Sequence, residues 1–230
     1  MKLDMHVHCQ PISACASITP EELVAHYKNH GFDGLVLTNH VNFWNVEGHS
    51  GLPSDFDEQR KMYIETYERA KTAGEKIGFT VIFGVELRLN QPENGFEYLL
   101  YGVDYDAFAE MYPGIYWTQE QLWEFCQKHD IFVSQAHPMR YNDGKDAPNR
   151  RLLNAMEVYN PGPDDTSEVP LTGERAKKLA EESGLAFTAG SDLHHLRNRP
   201  QCGIITETDV HNQFELRDVL KSRKYKVFYE

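Results

Sequence analysis

Two histidines stand two residues apart near the start of the chain, in the run Asp4-Met5-His6-Val7-His8. Alternate side chains of an extended strand share one face, so both imidazoles can reach a single metal ion. Asp4 shares that face and could orient a histidine by hydrogen bonding. The same spacing also occurs on wet strand ends of proteins without metals, so the motif needs support from elsewhere. Ser191-Asp192-Leu193-His194 repeats the pattern with one carboxylate and one imidazole. That donor mix suits Zn, Mn or Fe, whereas alone it would read as an Asp turn beside a surface histidine.

Glu86 interrupts an apolar run of Val81, Ile82, Phe83, Val85 and Leu87. A buried carboxylate needs a partner. The partner is either a metal ion, which its two oxygens could bridge, or Arg88 on the same strand face. His40 and His137 each end an apolar run, and either one alone would be an ordinary core or surface histidine. Arg140, three residues past His137, is placed to grip a phosphate with two hydrogen bonds, or else is a solvated loop arginine. His26, His30, His49, His129 and His211 fall on helices and loops. His195 faces away from His194 if that segment is extended, and Cys9 faces away from the first ion. Trp44 and Tyr141 are candidates for a pocket wall.

These residues need a frame that gathers them. Apolar runs alternate with longer helical patterns, the signature of βα units and a largely parallel sheet. Strands are expected over Leu3 to Val7, Gly34 to Thr38, Phe79 to Leu89, Tyr98 to Val103, Ile131 to Ser134, Ala155 to Tyr159 and Ala186 to Ala189, with short ones near Ile204-Ile205 and Val227-Phe228-Tyr229. Helices are expected from Pro20, with Thr19 as N-cap, Glu22 completing a capping box and Gly31 closing the end. Others are expected over Phe56 to Ile77, Thr118 to His129, Gly173 to Ser183 and Asn212 to Ser222. His6, His8, His40, Glu86, His137, Asp192 and His194 all lie at or just past strand ends. In a parallel barrel those ends share one face, where active sites sit.

Length fits one large domain or two small ones, and with no interdomain linker in sight one domain over residues 1–230 is expected; 40% hydrophobic and 25% charged residues are ordinary for a folded globular protein. A net charge of −12 argues against a nucleic-acid backbone or an anionic membrane as the main partner. A small anionic substrate remains compatible, because metal cations can reverse the field inside a pocket. There is no apolar stretch of about 18 residues and no signal-peptide core at the N-terminus. Four scattered cysteines, Cys9, Cys15, Cys126 and Cys202, read as reduced thiols, so a cytoplasmic location is expected.

Taken in order, the motifs resemble the PHP family, the polymerase-and-histidinol-phosphatase superfamily of metal-dependent phosphoesterases. Asp4-x-His6-x-His8 looks like its first motif and Thr38-Asn39-His40 its second, usually TDH. Gly84-Val85-Glu86 looks like the strand with a bridging glutamate, and Ala136-His137-Pro138 and Gly190-Ser191-Asp192-Leu193-His194 resemble the last two. The resemblance runs from Asp4 to about Gly203. It implies an α/β fold, a distorted, TIM-barrel-like (βα)7 barrel with two or three divalent ions (Zn, Mn or Fe) at the C-terminal strand ends. One ion would take His6, His8, Glu86 and Asp192, a second would share Glu86 and take His137, and a third would take His40 and His194. Cys15 best matches a further family ligand and would favour a softer ion such as Zn. At the family's fourth-strand histidine, this chain offers Glu97 or Tyr98. Asn39 in place of the usual Asp removes a nearby charge.

The expected activity is hydrolysis of a small phosphate monoester by a metal-activated hydroxide, of the histidinol-phosphatase type, with Arg140 on the phosphoryl oxygens and His194 assisting the leaving oxygen. No nucleic-acid polymer is expected as partner. Alternatives are hydrolysis of a phosphodiester or amide at the same site, or a metal-binding module of reduced activity.

Overall fold

The computed structural model describes residues 1–47, 50–90, 95–140, 149–162 and 169–230. His49 and Tyr141 lie outside the described residues. The order of elements is β1 (Lys2–Val7), α1 (Pro20–Asn29), β2 (Gly34–Leu37), β3 (His40–Val41), α2 (Phe43–Val46), α3 (Phe56–Glu75), β4 (Thr80–Arg88), β5 (Glu97–Tyr101), α4 (Tyr105–Met111), α5 (Gln119–Lys128), β6 (Phe132–Gln135), β7 (Ala155–Tyr159), α6 (Val169–Glu182), β8 (Ala186–Ala189), β9 (Cys202–Thr206), α7 (Gln213–Ser222) and β10 (Tyr225–Tyr229). Local signals account for many of the boundaries. Thr19 and Glu22 make the expected capping box on α1, and Thr118 and Gln121 make a second one on α5. The helix α4 and the single turn of α2 carry too little periodicity to be expected from sequence.

The strands run in the order β10-β9-β1-β2-β4-β5-β6-β7-β8. Just past β8, Leu193 forms a parallel bridge with Val7 at the end of β1. The sheet thereby curls into a nearly closed barrel of seven strands, β1, β2 and β4 to β8, as expected. β1 is shared: its first residues pair with β9, and its last lie beside the segment after β8. That closure is tight, because a Cβ on Gly190 would fall on the His6 side chain.

One barrel strand departs from the parallel expectation. β5 is antiparallel to both β4 and β6. The connection from β4 spans only residues 89–96, and a parallel crossover needs a dozen or more. β5 therefore brings its first residue, Glu97, to the face where the other strands end.

Among the described residues, two apolar clusters flank the sheet. The larger packs α1, α3, α4 and α5 against its outer side. The smaller takes residues from all seven barrel strands, among them Leu3, Val36, Ile82 and Tyr101, and includes Leu216 and Leu220 of α7. It fills the barrel interior below the histidines.

Candidate metal centre

The strand ends converge as the spacing of the motifs requires. His6 and His8 are both fully buried. His6 Nε2 lies 3.1 Å from Glu86 Oε1 and 3.4 Å from Asp192 Oδ1, and His8 Nε2 lies 3.0 Å from Asp192 Oδ1 and 3.4 Å from Glu86 Oε2. Glu86 also meets His40 Nδ1 at 2.5 Å and His137 Nε2 at 3.2 Å. Its partner is thus a set of four histidines; Arg88 pairs instead with Glu97, at 3.8 Å. His8 stacks on His40 and His194, with ring centroids 4.2 and 4.4 Å apart. Among the described residues, ligand-type atoms fall into four groups close enough to hold an ion: His6, His8 and Asp192; His6, Glu86 and His137; His8, His40 and His194; His40, Glu86 and Glu97.

The polar bookkeeping points to what the groups are for. His6 Nε2, His8 Nε2, Glu86 Oε2 and Asp192 Oδ1 are buried and none makes a hydrogen bond of good geometry, although Glu86 Oε2 lies 2.5 Å from His40 Nδ1. Buried polar atoms are nearly always paired. These four are turned toward one another at 3.0–3.4 Å, as donor atoms around shared cations would be. The opposite ring nitrogens are occupied: His6 Nδ1 by Glu157 Oε1 at 3.0 Å, His8 Nδ1 by Ser13 Oγ at 3.1 Å, and His194 Nδ1 by the Asp192 carbonyl at 2.7 Å. That leaves each Nε2 as the atom that faces inward, its lone pair available to an ion that displaces any proton held there. Borderline nitrogens mixed with carboxylate oxygens fit divalent Zn, Mn or Fe.

Backbone strain marks the same place. His137 has φ 25° and Asp192 φ 51°, both left-handed and neither a glycine. Such conformations persist where the surroundings impose them, and they concentrate at functional sites. The turn at Asp192 also places His195 on the pocket wall, where an extended segment would have hidden it.

Charges respond to the crowding. Burial opposes a charge on His6, yet Asp192 and Glu86 hold its pKa well above the usual histidine range. Burial and the neighbouring His40 and His194 push His8 well below it. Burial disfavours ionised Glu86 and Asp192, but His6 together with His40 and His137 on Glu86, and together with Arg140, His8 and His194 on Asp192, outweighs it and keeps both well below the usual carboxylate range. Cys15, on the pocket wall, is lowered to about 6: burial raises it, and hydrogen bonds from His194 and His40 overcome that.

The centre lies under an open pocket of about 610 Å³, lined among others by Cys15, His40, Trp44, Arg88, Arg140 and His194. Trp44 therefore does reach a pocket wall. Arg140 hydrogen-bonds Asp192 Oδ2 and Asn160 Oδ1. Asp4 does not orient a histidine ring; its Oδ1 accepts the His6 and Ser191 backbone amides and its Oδ2 the Tyr27 hydroxyl. Of the two fourth-strand candidates, Glu97 faces the site, 3.2 Å from His137 Nε2, and Tyr98 lies buried in the sheet. Sequence reasoning passed over Glu157, although it is an acid in an apolar strand, the same signal that singled out Glu86.

A family model described as PHP domain matches residues 4–157. The chain belongs to the PHP family. It therefore falls in the superfamily of PHP-like metal-dependent phosphoesterases, hydrolases as a class. The match stops short of Asp192 and His194, which the barrel nevertheless brings to the same centre. No curated protein sequence matches the chain. Among solved structures, the PHP chain is similar to a two-domain protein from Bacteroides vulgatus containing a predicted PHP-like metal-dependent phosphoesterase, with TM-score 0.69, 17% identity and all of this chain covered. It spans 65% of that protein's length. PsfC from Pseudomonas syringae is similar at TM-score 0.68 and 18% identity, over 100% of this chain and 93% of PsfC. Endonuclease Q, in complex with a 27-mer duplex carrying an abasic lesion at its active site, is similar at TM-score 0.56 and 14% identity, over 96% of this chain and 56% of its own.

That last likeness overturns the expectation that excluded a nucleic-acid polymer. A chain of this fold is seen with duplex DNA at its active site, so the fold admits such a substrate. The physical reason is that net charge is a property of the whole surface, whereas binding depends on the local field, here shaped by Arg88, Arg140 and any bound cations. Among the described residues no helix is long and apolar enough to cross a membrane.

Proposed function

We propose that this PHP domain, taken as one unit over residues 1–230, is a metal-dependent phosphomonoesterase acting on a small phosphorylated substrate. The observation that carries the reading is the set of four buried ligand atoms without a hydrogen bond of good geometry, beneath an open pocket whose wall holds two arginines. His6, His8 and Asp192, then Glu86 with His137, then His40 and His194 with Cys15 would hold two or three divalent ions (Zn, Mn or Fe). Ions bound there would lower the pKa of a water toward about 7 and neutralise phosphoryl oxygens.

The chain's own groups do the rest. Arg140 and Arg88 orient the phosphate from the wall. Where the third ion is not bound, His194 can take its place: burial works against a proton on the ring, but Cys15 and Asp192 raise its pKa, so it can hold a proton for the leaving oxygen. Four free cysteines agree with a reducing, cytoplasmic setting.

The test is phosphate release from a panel of small phosphomonoesters, with Mn²⁺ and after chelation. Chelator-sensitive release is the expected result; none from folded, metal-loaded protein would sink the reading. The openness of the pocket and the likeness to endonuclease Q favour phosphodiester cleavage as the second reading. A phosphodiester and an abasic duplex in the same panel separate the two.

A further inference from the structure

We propose that Glu157 is a positioning residue of the metal centre, fixing two of its ligands from the strand behind them. This inference rests on the metal-centre reading above. Glu157 sits in β7, almost wholly buried, and reaches two other strand ends. Its Oε1 lies 3.0 Å from His6 Nδ1. Its Oε2 accepts the His137 backbone amide at 2.8 Å and the Asn160 side-chain amide at 2.7 Å.

The His6 contact decides a tautomer. The Asn160 amide nitrogen also approaches His6 Nδ1, at 3.4 Å, but only the glutamate can accept a proton from the ring. A proton held on Nδ1 leaves Nε2 as a lone pair, and that atom is the one facing Glu86 and Asp192 without a hydrogen bond. The second contact holds a strained residue. His137 adopts φ 25°, and its amide is tied to Glu157 while its Nε2 faces Glu86.

The support continues outward from Glu157 to Asn160, from Asn160 to Arg140, and from Arg140 back to Asp192. One polar chain thus backs His6, His137 and Asp192 together. Partners of this kind set the orientation and basicity of metal ligands, and their loss typically weakens metal binding.

Glu157→Gln is the sharp variant, because no orientation of its amide satisfies all three contacts. With the amide nitrogen in the Oε2 position it confronts two donors; flipped, it confronts the ring proton. The experiment titrates Mn²⁺ and Co²⁺ into chelated wild type, Glu157→Gln and Glu157→Ala, with melting of the metal-free proteins as a check on folding. One ion is expected to bind about ten- to a hundred-fold more weakly in Glu157→Gln, with altered Co²⁺ visible bands, and more weakly again in Glu157→Ala. Wild-type affinities with an unchanged Co²⁺ spectrum would overturn the proposal. If Glu157→Gln does not fold, Asn160→Ala decides on the same readouts. It keeps the carboxylate but removes a hydrogen bond that aims it, so a few-fold loss supports the role and no change removes it. Ion binding by a wild type that releases no phosphate would defeat the phosphomonoesterase reading alone; a wild type that binds no ion would defeat both.

Discussion

Arg140 and Asp192 divide the labour of one carboxylate. The arginine hydrogen-bonds Asp192 Oδ2, while Oδ1 is buried without a hydrogen-bond partner, 3.0 Å from His8 Nε2. One oxygen faces the pocket wall and the other faces the ligand cluster. The guanidinium can therefore meet a phosphate in the pocket while still aiming the aspartate, since its planar fork presents several donors.

Replacing that fork separates the two roles. Arg140→Ala is expected to lower kcat/KM about a hundred-fold, the scale for losing a donor to developing charge. Metal content by elemental analysis at saturating Mn²⁺ should stay close to wild type, even though the lost support of Asp192 weakens the affinity. A variant that loses its metal instead would show Arg140 to serve only as a support for Asp192.

Chelation should cost stability as well as activity. Ions that bind only the folded chain, at a hundred times their Kd, stabilise it by about 2.7 kcal/mol. For a domain of this size that corresponds to a rise of about 5–10 °C in Tm. Thermal melts with Mn²⁺ and with EDTA measure it directly, and coincident curves would contradict a site formed from the buried cluster.

Cys15 gives a pH-dependent handle on the third group of ligands. Its thiol is lowered from the ordinary 9.0 to about 6 in the ion-free protein, so the thiolate predominates above about pH 6. Burial pushes the thiols of Cys9, Cys126 and Cys202 upward and keeps them inert. Iodoacetamide should therefore label Cys15 alone in chelated protein, with a rate that is half-maximal near pH 6. Bound metal should slow the labelling. A midpoint near pH 9 read by mass spectrometry would remove the thiolate.

Gly190 tests the barrel closure. A Cβ there would lie 2.5 Å from the His6 backbone nitrogen, a main-chain neighbour that cannot rotate away. Gly190→Ala should destabilise the fold by about 3 kcal/mol, the upper range for overpacking. Urea denaturation checks it, and a loss below about 1 kcal/mol would mean that the seam between β1 and the segment after β8 is looser than described.

The residue types and spacings that make the centre are readable from the chain itself. His6 with His8 and Asp192 with His194 are local patterns, and an apolar run that ends in a histidine or contains a glutamate is a local contrast. Helix starts at Thr19 and Thr118 are equally local, because a cap is closed within four residues. What the tertiary structure alone decided is which of these side chains meet. The reversed direction of β5, which brings Glu97 to His137, follows from a connection too short to cross over. Glu157 finds His6 at a separation of 151 residues, and Arg140 finds Asp192 at 52. Periodicity encodes how each segment folds and which face it buries, whereas these pairings exist only once the curled sheet brings Leu193 beside Val7.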